Sequence, residues 1–342
     1  MPAINPLPHA NAPPALRDVA EVPSAMAPSL QPLEIAVLLP CYNEEAAIAN
    51  VVGDFRSALP GAKIYVYDNN SSDRTVAVAR AAGAIVRRER LQGKGNVVRR
   101  MFGDIDADVF VLADGDATYD AGGAAAMVAM LLAEHLDMVN GARVSESRQA
   151  YRRGHRLGNV ALSSLVARIF GAGLSDMLSG YKVMSRRFVK SMPLLSSGFE
   201  IETELAVHAL SLRLPIAEIE TKYGDRPSGS SSKLSTYRDG MRIVRTIVHL
   251  VKEERPLSFF SWLSLLLFLA SMALGTPVVL TFLETGLVPK LPTALLALGV
   301  MLLAFLSLAC GLILDTVTRG RKETKRLAYL ALGPLRAPPH DG

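Results

Sequence analysis

Two long stretches without a single charge, residues 257–283 and 291–314, constrain this chain more than anything else in it. Each exceeds the roughly 20 apolar residues that a helix needs to cross about 30 Å of hydrocarbon. Pro277 falls inside the first and is expected to kink it. The flanks give the orientation. Lys252 and Arg255 precede the first stretch, and Arg319, Arg321, Lys322, Lys325 and Arg326 follow the second, whereas the connection holds Glu284 and one base, Lys290. Basic flanks stay on the cytoplasmic side. The expectation is a multi-pass protein of the cytoplasmic (inner) membrane with both termini and the N-terminal domain in the cytosol.

Composition agrees, since 50% of the residues are hydrophobic, a high share for a soluble enzyme. Residues 1–33 are rich in Pro and Ala and read as a disordered tail, without the basic start and continuous apolar core of a signal peptide. The net charge of +5 comes with no basic run interleaved with aromatics, so nucleic acid is not an expected partner. Cys41 and Cys310 are the only cysteines and imply no disulfide framework. The 6 histidines lack the spacing of a zinc site.

Between the tail and the spans, short apolar runs alternate with helical patterns. "IAVLLP" (35–40), "KIYVYD" (63–68), "AIVRRE", "DVFVLADGD" (108–116) and "LDMVNGAR" (136–143) read as strands. Helices are expected over Ala46–Leu59, from Arg74, over Gly93–Asp104 and over Ala124–His135, with Ser72 or Asp73 capping the second. Such alternation implies an α/β domain around a mostly parallel sheet with helices on both faces. Ligands of these sheets bind beyond the carboxyl ends of the strands. Glu44, Asp68, Asp114 and Asp116 all stand at such ends and are expected to share one crevice.

"DGD" places two carboxylates one residue apart at a strand end, a pattern suited to a hard divalent cation that keeps positions open for phosphate oxygens. The stretch "LQGKGNVVRR" is neither a P-loop nor a complete dinucleotide fingerprint. Gly93 and Gly95 are expected to let the backbone approach a ligand, with Lys94 near a phosphate or base; a plain capping loop is the competing reading.

In order and spacing, "LLPCYNEE", "YDNNSSDRT", "GKGNVVRRMF", "DGDATYD", "DMLSGYK" and "FEIETELAVHA" resemble a family 2 glycosyltransferase. The subgroup is similar to dolichol-phosphate mannose synthase and the bacterial polyprenyl-phosphate hexose synthases, over residues 34–245 and with paired C-terminal spans like the bacterial members. The resemblance implies a GT-A-type (Rossmann-like) α/β fold plus a two-helix C-terminal transmembrane hairpin. It divides the chain into a transferase domain over 34–235 with an acceptor loop at 224–240, a juxtamembrane amphipathic helix at 236–255, spans within 256–316 and a basic tail at 317–342.

Residue by residue, the resemblance implies that Pro40, Tyr42, Asn43 and Glu44 line the nucleotide-sugar pocket. It implies further that Asp68 contacts the base with Asn70 beside it, and that Lys94 lies over the nucleotide. Asp114 and Asp116 match the pair that binds Mg²⁺ or Mn²⁺, with Asp116 also catalytic. Thr118 stands where one member of the subgroup adds a Gln. Arg143 and Arg156 match positions for the acceptor phosphate, joined by Arg226 and Lys233 in the acceptor loop. Asp176 is either a general base or the residue that positions Arg143. Glu200 and Glu202 read as supporting or structural.

The expected activity is inverting transfer of a hexose from a nucleotide diphosphate, UDP-linked, to a polyprenyl phosphate of the undecaprenyl type, making a lipid-linked monosaccharide for the cell envelope. The resemblance also implies a homo-oligomer in the membrane as a possible partner state. Two other readings stand beside it: a processive polysaccharide synthase, which calls for a Gln-x-x-Arg-Trp motif that the sequence lacks, and a non-catalytic sugar-nucleotide-binding scaffold.

Overall fold

The computed structural model describes residues 33–144, 163–164, 166–168, 170, 174–224 and 252–333. Arg156, Arg226 and Lys233 lie outside these residues, as do the acceptor loop beyond Gly224, most of the juxtamembrane helix and the N-terminal tail.

The alternation in the sequence becomes β1 (Ile35–Cys41), α1 (Ile48–Ala58), β2 (Lys63–Asp68), α2 (Thr75–Ala81), β3 (Ile85–Arg88), α3 (Lys94–Asp104), β4 (Val109–Leu112), α4 (Gly123–Ala133) and β5 (Met138–Val144). There follow β6 (Lys182–Ser185), α5 (Arg186–Ser191), α6 (Ile201–Ser211) and β7 (Ile216–Lys222). Two long helices end the described chain, α7 (Pro256–Thr285) and α8 (Leu291–Leu330).

The strands form one 7-stranded sheet in the order β3-β2-β1-β4-β6-β5-β7. Only β6 runs against the rest, pairing antiparallel with β4 and β5. β1, β4 and β6 bury aliphatic residues on both faces, as expected of strands covered by helices on each side. α1 buries Ile48, Val51, Val52 and Phe55, the one-sided stripe of a 3.6-residue period. Register fixes the functional edge. Cys41 stands opposite Asp68, Leu112 opposite Lys182, and Asn140 also opposite Lys182, so all these strand ends meet on one side.

One local expectation changes. β4 stops at Leu112, and residues 113–116 leave the sheet instead of extending it. Gly115 folds over Cys41 so closely that a Cβ there would stand 2.4 Å from the Cys41 sulfur. A bulkier residue could not take this turn, which lifts both acids out of the ladder.

α6 buries His208, 2% exposed, with neither ring nitrogen hydrogen-bonded among the described residues. Its ring meets Phe188 edge-on at 5.6 Å. Burial, with the Lys325 charge adding, lowers its pKa to about 3. The folded chain thus keeps His208 neutral, while the unfolded chain protonates it below its ordinary value of 6.5. Stability is therefore unaffected above that value and lost as the pH falls from it towards 3. His208→Leu is expected to change little at pH 7.5 but to be more stable than the parent by about 2 kcal/mol at pH 5, as read by urea unfolding at both pH values. Equal sensitivity to acid in the two proteins would refute this.

α7 and α8 pack along small residues. The Ser264 hydroxyl donates to the Ala304 carbonyl at 2.8 Å, Ser271 to Ala297 at 2.7 Å, and Ser307 back to Phe260 at 3.2 Å. Small side chains let backbones approach, and hydroxyl donors then find carbonyls across the seam, a pattern common between membrane helices. Their most apolar stretches are only 11% and 17% buried, which leaves most of this apolar surface uncovered by the rest of the described chain. Both are long and apolar enough to cross a membrane. α7 continues through Pro277 as one helix.

α8 does not end with its apolar stretch. Residues 317–330, expected as part of a basic tail, continue as helix, supported by an Asp315–Arg319 pair at 2.9 Å one turn apart. This extension reaches the α/β domain. The Tyr329 hydroxyl donates to Asp137 Oδ2 at 2.7 Å, and the Arg187 guanidinium lies 4.9 Å over the Tyr329 ring.

Candidate active site

The carboxyl edge of the sheet is built by two chain turns that fasten each other. After β1, Asn43 adopts φ 54°. Its N–H donates to Ser71 Oγ at 2.9 Å, and its Oδ1 accepts from the Ser72 N–H at 2.8 Å. The Glu44 N–H donates to Thr75 Oγ1 at 2.8 Å. Asp73, not Ser72, serves the start of α2, accepting the Thr75 N–H at 3.0 Å and hydroxyl at 2.5 Å, with the Glu45 N–H at 3.2 Å. These bonds hold its carboxyl below the ordinary range, although burial works against them.

The polar run after β2 is thus mostly scaffold, and it surrounds a buried acid. Asp68, 2% exposed, accepts the Ser71 N–H at 3.2 Å. Asn69, which sequence reasoning passed over, donates to the carbonyls of Glu89 and Leu91 at 3.0 and 2.8 Å and accepts the Gly93 N–H at 2.7 Å. It shapes the loop leading to Lys94. Asn70, at φ 66°, reaches the same loop through the Arg90 carbonyl and Gln92. Tyr42 is exposed at the rim and Pro40 half-buried.

The charges of the four strand-end acids all bear on one buried side chain. Burial pushes the Cys41 thiol well up, and Glu44, Asp114, Asp68 and Asp116 each add to that rise through their charge. One buried sulfur therefore feels all four. Asp116, 3% exposed, accepts from the Thr118 hydroxyl at 2.6 Å and N–H at 3.2 Å through Oδ1. Thr118 thus orients Asp116.

Of the glycines of "QGKGN", Gly93 takes the capping role, standing at the N-cap of α3 with φ 130° and accepting the Val97 N–H at 3.2 Å. Both approach the chain, not open space: a Cβ at Gly93 or Gly95 would come within 2.2 Å of the Ser197 or Ser196 carbonyl oxygen. The Gly95 N–H donates to Ser197 O at 3.1 Å. Lys94 is buried, its ammonium bonded to Asp114 and, at 2.6 Å, to Glu202.

On the other side of Tyr119 lies a second cluster. Asp176 grips Arg143 through both oxygens, Oδ2 to Nε at 2.7 Å and Oδ1 to Nη2 at 2.8 Å. Burial alone would raise the Asp176 carboxyl, but the Arg143 bonds and charge hold it below the ordinary carboxylate range. The turn that carries Asp176 is fixed from beneath. Glu218 accepts the Ser175 N–H at 2.7 Å and an Asn140 amide hydrogen at 2.7 Å, and the same amide donates to the Asp176 carbonyl at 3.0 Å. Lys182, fully buried, donates to Asn140. Burial brings its pKa down to about 8 despite the pull of Asp176, Glu202 and Glu218. Asn140 and Glu218, polar residues inside strand patterns, were the sequence signal for this layer.

Tyr119 joins the two halves. Its hydroxyl accepts the Gly180 N–H at 2.7 Å, and its ring meets Tyr223 at 5.2 Å, with Arg143 5.5 Å from the centre of the Tyr223 ring. Burial raises the Tyr119 hydroxyl, and the charges of Arg143, Asp114 and Lys94 all bear on it.

The structure thus brings the charges of Glu44, Asp68, Asp114 and Asp116 to bear on Cys41, pairs Lys94 with Asp114 and Glu202, and pairs Arg143 with Asp176. Among the described residues no cluster of three or more His, Cys, Asp or Glu forms a metal cage. The donor set does fit Mg²⁺ or Mn²⁺ arriving with a diphosphate, which needs only one or two carboxylates from the protein.

Residues 36–192 match the model of glycosyl transferase family 2. Glycosyltransferase AglJ of Haloferax volcanii is 37% identical over 67% of this chain and 76% of the relative. This chain belongs to glycosyl transferase family 2. Protein RfbJ of Shigella flexneri is 55% identical over 36% of the chain and 95% of its own length. A dolichyl-phosphate hexose transferase of Haloferax volcanii is 29% identical over 65% of the chain and 96% of that relative. Among solved structures, glucosyl-3-phosphoglycerate synthase from Mycobacterium tuberculosis superposes with a TM-score of 0.54 at 23% identity, covering 65% of this chain and 80% of that one. That synthase has also been solved with Mn²⁺, UDP and glucosyl-3-phosphoglycerate. The likeness supports a GT-A-type fold.

Proposed function

We propose that this family 2 glycosyltransferase moves a hexose from a UDP-sugar to a polyprenyl phosphate at the cytoplasmic face of a membrane. The observation that carries the reading is the Arg143 guanidinium, fixed by both oxygens of Asp176 and acting with Asp114 and Lys94 on the Tyr119 hydroxyl, in a chain that also carries two lipid-length helices. A guanidinium held as a planar fork matches a phosphate's oxygens. The dolichyl-phosphate hexose transferase relative supports a lipid-linked acceptor.

In this reading Asp68 meets the base, with Pro40, Tyr42, Asn43, Glu44 and Asn70 along the pocket, while Asp114 and Asp116 hold Mg²⁺ or Mn²⁺. The bound cation supplies charge neutralisation on the departing diphosphate. Arg143 orients the acceptor phosphate, joined by Arg156, Arg226 and Lys233. One phosphate oxygen attacks the anomeric carbon as the bond to UDP breaks, so the anomeric configuration inverts. The attacking phosphate is already ionised near neutral pH and surrenders no proton. Asp176 therefore positions Arg143; a carboxyl held below its ordinary range is a weak proton acceptor. The basic flanks of α7 and α8 support a site on the cytoplasmic side in this reading.

Incubating the purified protein with radiolabelled UDP-hexoses and undecaprenyl phosphate, then extracting lipid, tests the reading. Label is expected in the organic phase, dependent on added Mg²⁺ or Mn²⁺. Label found only in water-soluble phosphate esters would overturn the lipid acceptor.

Asp176→Asn is expected to lower kcat/KM for the lipid phosphate roughly 30-fold or more, because the Arg143 charge loses its buried partner. The acid limb of the rate should still follow the acceptor's second ionisation near pH 6 in both proteins. An acid limb that disappears with Asp176 would instead make it the base.

A further inference from the structure

The Lys94 ammonium stands between carboxylates from two separate parts of the chain. It bonds to Asp114, which follows β4, and to Glu202 in the first turn of α6. The side chains of Lys94 and Glu202 are 8% and 7% exposed, that of Asp114 30%. Burial works against the ammonium, yet the charges of Asp114 and Glu202 hold it above its ordinary value. Burial raises Glu202, with Lys94 pulling the other way.

The surrounding chain holds this arrangement closed. A Cβ at Gly180 would lie 3.0 Å from Lys94 Nζ and 3.1 Å from Asp114 Oδ2, so the segment covering the pair leaves little spare room. Gly95, next to Lys94, is bonded to the Ser197 carbonyl, and the Glu204 carboxylate accepts the N–H groups of Leu195 and Ser196, both at 2.9 Å. The start of α3 and the start of α6 thus form one unit, in which Lys94 and Glu202 keep their spacing while Asp114 belongs to another turn.

An ammonium bonded to Asp114 both occupies a lone pair and cancels the charge that a divalent cation needs. We propose that Lys94 and a divalent cation compete for Asp114, and that Glu202 is the positioning residue that retains Lys94 beside the donor diphosphate once the cation has displaced it. The inference rests on Asp114 being a donor-metal acid. Its physical basis is charge bookkeeping. A cation arriving on Asp114 repels the ammonium, which stays buried only because Glu202 still neutralises it. The diphosphate that accompanies the cation then gives Lys94 a second anionic partner.

The test titrates Mn²⁺ alone into the full-length protein in detergent, reading free Mn²⁺ by electron paramagnetic resonance, and repeats the titration with UDP. Lys94→Met is expected to bind Mn²⁺ alone roughly tenfold tighter than the parent, and Glu202→Gln roughly tenfold weaker. The double variant should match Lys94→Met, because Glu202 acts only through Lys94; damage to the fold would persist in that background. Both single variants should lose part of the strengthening by UDP. Lys94→Met binding Mn²⁺ no better than the parent overturns the competition, and a Glu202→Gln defect that persists without Lys94 overturns the positioning role. If Glu202→Gln does not fold, Lys94→Met against the parent decides. UDP failing to strengthen Mn²⁺ binding in the parent would overturn the donor reading, while the ranking with Mn²⁺ alone still judges the competition.

Discussion

Asp116→Asn is expected to lower sugar transfer roughly 10³-fold with the fold intact, the scale on which a single charge-stabilising group at a reacting centre counts. Asp116 is buried, and its Oδ1 accepts the Thr118 hydroxyl and N–H. An Asn oxygen can accept the same two bonds, so the turn over Gly115 should keep its shape. What disappears is one negative charge among the four that meet near Cys41. Thermal unfolding should therefore stay close to that of the parent, while transfer and Mn²⁺ binding in the presence of UDP both fall. Thr118→Val, which removes the hydroxyl but no charge, should cost far less. Turnover within threefold of the parent in Asp116→Asn would remove Asp116 from the metal-assisted mechanism.

Asp137→Ala should give the largest loss of stability, about 3 kcal/mol, because it strips the counter-charge from a partly buried arginine. The Asp137 carboxylate, fully buried, accepts the Ser185 hydroxyl at 2.7 Å, Arg187 Nε at 2.6 Å and the Tyr329 hydroxyl at 2.7 Å. Three elements meet there: β6, α5 and the extension of α8 beyond its apolar stretch. Tyr329→Phe removes one neutral donor from the same carboxylate and should cost about 1 kcal/mol. Thermal melts of the detergent-solubilised proteins measure the order, and limited proteolysis of α8 beyond Asp315 reports whether the extension has come away. Equal melting temperatures for all three proteins would mean that Asp137 does not hold this junction.

The parts legible beforehand share one physical trait, that a local pattern carries them. The parallel sheet followed from apolar runs alternating with helical periods, and the places of Glu44, Asp68, Asp114 and Asp116 at strand ends are what bring all four charges to bear on Cys41. The long helices followed from hydrocarbon thickness. Other features had no local signature. β6 inserts antiparallel between β4 and β5, and nothing in "YKVMS" states its neighbours or direction. The glycines of "QGKGN" look like a ligand cradle or a cap, and only the fold shows that Gly93 caps α3 and that both let α3 approach the 196–198 backbone. Asn69 looked like one polar residue among several, and only the fold shows it holding three backbone groups of the 89–93 loop.

By itself the sequence determined the family, the α/β class and the two membrane-length helices, because motif order, strand and helix periods and span length are properties of consecutive residues. Only the tertiary structure decided partnership. It bonded Lys94 to Asp114 and Glu202, locked Asp176 onto Arg143 above Lys182, and set the end of α8 against Asp137. Buried charges choose partners by distance in space, and those distances exist only after the chain has closed around them.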